Sequence, residues 1–399
     1  MIRKIAAVIG PGFIIAAVVL GPGSMTVATK VGSLFGYGML WWLWLLWAFM
    51  CAYTAMSAQI GLMDPRSLMT IVADRFGRAV SVILGLAVFF ICCSFQTGDV
   101  IGVSAALSTI FHVPEIVFKL LFPAVCIWLY YHSGNTYKII ERLMLLMIVM
   151  MVVAFFANLF QAKPDLGQMA RGLVPRLPEA GQMGLIGAMA GTNFVVAAAF
   201  YQSYLIKEKG WTPAQAPRML VDTLAGITVL FVLVGVIQVT SAAVLAPRGI
   251  NVTSVSDMAL QLEPLLGRFA KFMFCMGLFA ASFSSLMVNA LTGGTLLADG
   301  LGKDYRMTGP YVKHFATAIM LFGLVISITL GGKPVPSIIF LQKFTLLTVP
   351  LLGAALIWAF FSAGRVKGPK RIFIGVLAAA GFLLLLYLFG DLVKSFFCR

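Results

Sequence analysis

Asp99 lies in the run Phe95-Gln96-Thr97-Gly98-Asp99-Val100-Ile101, deep inside an apolar stretch. A carboxylate in that setting is costly to keep and marks function by default, as a proton carrier, an ion ligand or half of a structural ion pair. Gln96 accompanies it as a second candidate in coupling. Gln342-Lys343 interrupts another apolar stretch. Gln342 can supply a carbonyl oxygen, while Lys343 can pair with Asp99, exchange a proton, or extend its ammonium to a crevice or the interface. Two glycine-bearing interruptions complete the set. Gly21-Pro22-Gly23 leads to the hydroxyls of Ser24 and Thr26, and Ala190-Gly191 to the hydroxyl of Thr192 and the amide of Asn193. The three histidines are isolated and lack metal-ligand spacing. No Walker loop, dinucleotide fingerprint or nucleophile elbow is present. The chain is therefore not expected to be an enzyme or to hold a resident cofactor, and any work it does draws on ion gradients rather than ATP.

The elements that must position these residues are membrane helices. Residues Ile5 to Ala28 are nearly uncharged and long enough to cross a bilayer, which takes about 20 residues. Gly and Pro at its centre disfavour a continuous helix, and broken backbone survives in hydrocarbon only where protein buries it or it lines a watery cavity. After Pro22 the helix restarts, and its free N–H groups favour a negative group. The carbonyls around Val18 to Leu20, before the break, favour a cation. The break alone fits either charge.

Eleven apolar segments can be marked, at about 5–29, 37–62, 79–110, 115–132, 138–161, 184–206, 219–247, 265–298, 309–331, 336–363 and 371–390. Segments one to five and six to ten make two halves. Because five is odd, the halves are inverted relative to each other, and each opens with a broken helix, at Gly21 to Ser24 and at Ala190 to Asn193. Paired interruptions of this kind point to a binding site near the midplane. The expected fold is an all-α polytopic membrane protein of the LeuT type, a 5+5 inverted repeat with eleven transmembrane helices and helices 1 and 6 unwound. The expected divisions are 1–161, an external loop 162–183, a second repeat 184–363, and a last helix with the C-terminus at 364–399.

Composition agrees. The chain is 61% hydrophobic and only 11% charged, against about 25% charged in soluble proteins. Its net charge of +15 would suit nucleic acid, but the basic residues gather in short connections between apolar segments, where they set orientation. Arg3 and Lys4, then Arg66, Arg75, Arg78, Lys138, Arg142, Lys207, Lys209, Arg218, Lys303, Arg306, Lys313, Arg365, Lys367, Lys370 and Arg371 fall on one face. That places the N-terminus in the cytoplasm and the C-terminus outside, in an integral protein of the plasma (inner) membrane. The expected partners are the lipid bilayer and a small transported ion or solute, with no nucleic acid and no obligate protein partner. Five of the six cysteines lie within apolar segments, so no disulfide framework is expected.

At this point the chain resembles the NRAMP family of proton-coupled divalent-metal transporters. The resemblance rests on Gly10-Pro11-Gly12-Phe13, Gly21-Pro22-Gly23-Ser24 and Gly32-Ser33-Leu34-Phe35-Gly36-Tyr37 in the first span. It continues in Gln96-Thr97-Gly98-Asp99-Val100-Ile101-Gly102, Gly184-Leu185-Ile186-Gly187-Ala188, Leu262-Glu263-Pro264-Leu265-Leu266-Gly267, Ser284-Ser285 and Gln342. The departures fall on the family's metal site. Its aspartate is Gly21 here and its asparagine is Ser24. Ala190 or Gly191 stands at its methionine, and Ala197 or Ala198 at its histidine. Gln96 replaces an aspartate, Asp99 keeps the carboxylate of a glutamate, and Lys343 adds a charge beside Gln342.

The resemblance implies secondary transport of a divalent metal cation, Mn²⁺-like or Mg²⁺-like, coupled to protons. Its site residues would be Gly21, Gly23, Ser24, Thr26, Ala190, Gly191, Thr192, Asn193 and Gln342. Ser24, Asn193 and Gln342 would be the metal ligands, and Asp99, Gln96 and Lys343 the coupling groups. Without the family's anionic and sulfur ligands, a hydrated ion such as Mg²⁺ is better suited than a dehydrated transition metal. Two further readings stay open. One is transport of a small organic or anionic solute, using the first break and Lys343. The other is a non-transporting sensor or scaffold.

Overall fold

The computed structural model describes residues 10–132, 135–176, 182–330, 333–362 and 369–397. Arg3, Lys4, Arg365 and Lys367 lie outside the described residues, as do Cys398 and the side chains of Lys138, Arg142 and Lys370. Every described element is helical. In order they are α1 (Pro11–Val19), α2 (Pro22–Phe35), α3 (Leu40–Met63), α4 (Leu68–Phe76), α5 (Arg78–Phe111), α6 (Glu115–His132), α7 (Asn135–Ala162), α8 (Leu166–Gly172) and α9 (Met183–Asn193). They continue with α10 (Val196–Glu208), α11 (Ala216–Val244), α12 (Val255–Ala259), α13 (Glu263–Leu266), α14 (Ala270–Gly300), α15 (Pro310–Thr329), α16 (Pro334–Phe344), α17 (Val349–Ser362) and α18 (Pro369–Phe397). Among the described residues eight helical stretches are long and apolar enough to cross a membrane, and ten if two bent pairs each count as one. The first segment is additional. It is divided into α1 of 9 residues and α2 of 14, each too short to cross alone.

The first break follows from local chemistry. Pro22 has no N–H and opens α2 at its first position, where a missing donor costs nothing. The residue before a proline is pushed to extended backbone, and Gly21 has φ −117° and ψ −171°. The chain entering α1 is tied down from across the fold. The Gly12 N–H donates to Asp222 Oδ2 at 2.8 Å, placing a carboxylate on the positive end of α1.

The second break departs from expectation. Ala190 to Asn193 are all helical, and the chain leaves the helix only at Phe194 (φ −103°, ψ 67°) and Val195 (φ −85°, ψ 91°). Gly191 serves a different purpose. A Cβ there would stand 2.1 Å from the Gln342 carbonyl oxygen, so it permits close approach of α16, the usual role of small residues between membrane helices. The break is held instead by packing. Phe194 is fully buried and meets the Tyr53 ring edge-on with centroids 4.9 Å apart.

Around the two breaks, α5 and α14 pack along each other, with α15 against both. α14 carries buried polar residues in series, Ser282, Ser285, Asn289, Thr292, Thr295 and Asp299.

Candidate ion-binding site

A cavity of about 10 Å³ sits between the two breaks, lined by Val18, Val19, Gly21, Gly23, Phe95, Asp99, Thr192, Val195, Ser285, Asn289 and Gln342. That is room for about one water-sized body. Of the residues singled out from sequence, the structure brings Gly21, Gly23, Asp99, Thr192 and Gln342 together here. Ser285 was marked only by resemblance, and Asn289 was missed. Its signal was present: Asn289 follows Ser285 by four residues and so shares its helix face.

Asp99 is 2% exposed. Its Oδ2 accepts from Asn289 Nδ2 at 2.9 Å and from Ser285 Oγ at 3.1 Å. Its Oδ1 accepts no hydrogen bond from the described residues. A Cβ built on Gly21 would lie 3.3 Å from that oxygen and 2.9 Å from Ser285 Oγ. The carboxylate therefore stands in space that a side chain at position 21 would enter, next to the N-terminus of α2, whose dipole favours negative charge. The expectation of a cavity without an anionic group does not hold, although the first segment itself has no carboxylate at the break. The anion arrives from the third segment.

Gln342 lies across the cavity against Gly23, where a Cβ would be 2.3 Å from its Nε2 and 2.8 Å from Thr192 Oγ1. Gln342 is 2% exposed, and its Oε1 has no hydrogen-bond partner. Turning the amide over exchanges Oε1 for Nε2 without breaking a bond to any described residue. The Val18 carbonyl accepts from Ser285 Oγ at 3.3 Å and the Val19 carbonyl from Ser24 Oγ at 2.8 Å.

The other singled-out residues point elsewhere. Ser24 Oγ is spent on its own helix start, donating to Val19 O and accepting from the Gly21 N–H at 3.2 Å. Thr26 faces Met258, with Oγ1 to Sδ at 3.8 Å. Asn193 Nδ2 donates to the Met189 carbonyl at 2.9 Å, and its Oδ1 is buried without a partner away from the cavity lining. Ala190 is helix interior, its carbonyl accepting from the Phe194 N–H at 2.8 Å. Gln96 is fully buried against Gly323 of α15, with neither amide atom hydrogen-bonded. Lys343 leaves Asp99 altogether: its Nζ lies beside Gly184, 2.6 Å from where a Cβ would stand, and the carboxylate acting on it is Asp391. One residue separates Gln342 from Lys343, and on a helix that is about a 100° turn.

Towards the other end of α10 a larger cavity, about 350 Å³, is lined by Tyr204, Lys207, Glu208, Thr295, Asp304, Tyr305, Arg306 and Met307. Its floor is tied by Tyr204, whose hydroxyl donates to Asp299 Oδ2 at 2.5 Å and accepts from the Met69 N–H at 3.3 Å. In the loop beyond α14, backbone and side-chain N–H groups of Arg306 hold the Asp304 carboxyl below its ordinary range, while burial raises the Tyr305 phenol.

Chemically, the central cavity offers one carboxylate oxygen, an amide that can present its oxygen, hydroxyls, and no sulfur. Among the described residues no group of three His, Cys, Asp or Glu could hold a metal ion by itself. An all-oxygen set with one formal charge suits a hard cation that keeps part of its water.

The family model described as natural resistance-associated macrophage protein-like matches residues 12–391. The chain is similar to the divalent metal cation transporter MntH of Caldanaerobacter subterraneus subsp. tengcongensis, 24% identical over 98% of this chain and 95% of that one. It is also similar to the MntH of Deinococcus radiodurans, 23% identical over 88% and 80%. Among solved structures it superposes on the manganese transporter of Eremococcus coleocola in complex with an aromatic bis-isothiourea compound. The TM-score is 0.73 at 17% identity, covering 99% of this chain and 88% of that one. MhsT in complex with L-phenylalanine gives 0.57 at 16% identity, covering 95% and 98%. These likenesses carry the fold.

Proposed function

The chain belongs to the Nramp family, and from that premise we propose that it is a secondary transporter of a hard divalent cation, Mg²⁺ or Mn²⁺, with Asp99 as the charged ligand. The observation that carries this reading is the position of the Asp99 carboxylate at the first break. Gly21 has no side chain, and the carboxylate of Asp99 stands within 3.3 Å of where one would begin. One negative charge is thus kept at the cavity, supplied by the third segment at the place where position 21 has no side chain. Relatives that are named divalent metal cation transporters and a manganese transporter support a divalent cation as cargo.

Gln342, Thr192 and the backbone of Val18 and Val19 supply neutral oxygens. With no thioether in the lining, nothing biases the site towards soft metals. The cavity holds about one water, so an ion that keeps several waters needs the helices around it to part, as alternating access requires. Loading and release then follow the parting of the helices that line the cavity, and the basic-residue asymmetry favours an N-terminus on the cytoplasmic side.

The anionic-solute reading loses its support at the same place. The N-terminus of α2 already faces the protein's own carboxylate, which would repel a second anion, and Lys343 does not line the cavity. The test is calorimetric titration of the purified protein in detergent with MgCl₂ and MnCl₂. Saturable heat from either ion, lost in Asp99→Asn, is the expected result; no binding by a folded protein to either ion refutes the proposal.

A further inference from the structure

We propose that Ser285 and Asn289 decide which divalent cations the site accepts, by holding one oxygen of Asp99 so that it serves as a one-oxygen ligand. The inference deepens the cation reading above and rests on it. The two residues sit one helical turn apart on α14 and are 1% and 4% exposed.

Their hydrogen bonds form a closed set. Asn289 has two N–H donors; one goes to Asp99 Oδ2 at 2.9 Å and the other to Ser285 Oγ at 2.8 Å. Ser285 Oγ therefore accepts one hydrogen bond and has its single hydroxyl hydrogen left to donate. Its nearer acceptor is Asp99 Oδ2 at 3.1 Å, with the Val18 carbonyl at 3.3 Å. Oδ2 is thus occupied by two donors from one rigid helix face. Oδ1 is left facing the space beside Gly21.

The consequence is a coordination mode. Ca²⁺ gathers six to eight oxygens, often with both oxygens of one carboxylate, at about 2.3–2.6 Å. To engage Asp99 that way it must break both bonds to Oδ2, leaving one buried N–H of Asn289 without an acceptor and the Ser285 hydroxyl with only its longer contact to the Val18 carbonyl. Mg²⁺ takes six ligands at about 2.0–2.1 Å, keeps waters, and is content with single carboxylate oxygens. Mn²⁺ shares its preference for oxygen and octahedral geometry. The pair on α14 therefore excludes Ca²⁺ by restricting the carboxylate rather than by lining a smaller hole. In a chain without a sulfur ligand at the cavity, this is the device the structure offers for telling divalent ions apart.

The test compares MgCl₂, MnCl₂ and CaCl₂ by competition in proteoliposome uptake and by calorimetry, in the natural protein, Ser285→Ala, Asn289→Leu and Ser285→Thr. The readout is the ratio of Ca²⁺ to Mg²⁺ affinity, which a general loss of structure does not raise. Removing one of the two donors to Oδ2 should raise that ratio at least about tenfold in Ser285→Ala and Asn289→Leu, while Ser285→Thr, which keeps the hydroxyl, should hold the natural ratio. Ser285→Ala leaves a cavity of one oxygen atom and carries the test if Asn289→Leu does not fold. An unchanged ratio in folded Ser285→Ala overturns this inference and leaves the cation reading standing. Failure of the natural protein to bind any of the three ions overturns both.

Discussion

Replacing Asp99 by asparagine removes one charge and almost no volume, so the size of its effect can be worked from the hydrogen bonds around it. Oδ2 is held by two donors, Ser285 Oγ and Asn289 Nδ2. An amide placed there must turn its carbonyl towards them, because its NH₂ cannot accept. Its NH₂ then occupies the place of Oδ1 and points donors at the cation. The variant loses both the charge and the ligating oxygen. Breaking one side of a buried charge interaction costs about 3–5 kcal/mol, and each 1.4 kcal/mol is about tenfold in affinity. The expected loss is at least about a hundredfold in Mg²⁺ or Mn²⁺ affinity.

The ion-free protein should behave in the opposite way. Asp99 has no Lys or Arg within ion-pair distance among the described residues, and an uncompensated buried charge is unfavourable. Neutralising it should leave the melting temperature of the ion-free protein unchanged or higher. Titration calorimetry and thermal melts on the same preparations separate the two effects. Affinity within threefold of the natural protein, in a folded Asp99→Asn, would refute the assignment of Asp99 as the charged ligand.

Other perturbations follow from the same geometry. Gly23→Ala drives a Cβ to 2.3 Å from Gln342 Nε2; because the obstacle is a side-chain end, the protein should fold while uptake falls at least about tenfold, measured in proteoliposomes. Gln342→Leu removes a buried oxygen that has no partner, so the ion-free protein should gain about 1 kcal/mol of stability while ion affinity falls; a loss of both would show that the amide is structural. Lys343→Ala should leave uptake within about twofold, since its ammonium lies beside Gly184 and not at the cavity; abolished uptake would bring Lys343 back to the site. Cation and proton compete for the same carboxylate in this scheme, so apparent affinity should fall as the pH is lowered; a flat profile from pH 5 to 8 with intact binding would exclude that competition.

Much of the architecture was legible in the sequence because hydrophobic length and local backbone chemistry are written residue by residue. Apolar runs fixed the helices, and Gly21-Pro22-Gly23 fixed the first break, since the missing N–H and restricted neighbour of a proline act wherever the chain folds. The family could likewise be reached from short motifs spread over the chain. The second break was misplaced by two to four residues. Gly191 looked like its cause, but a glycine in a membrane helix can equally mark close approach, and only the packing of Phe194 on Tyr53 showed where the helix ends.

The site divides along the same line. Residue types alone singled out Asp99 and Lys343 as charges too costly to bury without purpose, and Gln342 as a source of a carbonyl oxygen. Which of them share a cavity depended on side-chain direction, and adjacent helix positions diverge by about 100°. That is why Gln342 lines the cavity while Lys343 does not, and why the hydroxyl of Thr192 faces it while that of Ser24 closes its own helix end. The decisive relation, a glycine in the first segment making room for a carboxylate 78 positions later in the chain, has no local signature. Non-local contacts are set by how α2, α5 and α14 pack, and that information exists only once the helices are assembled.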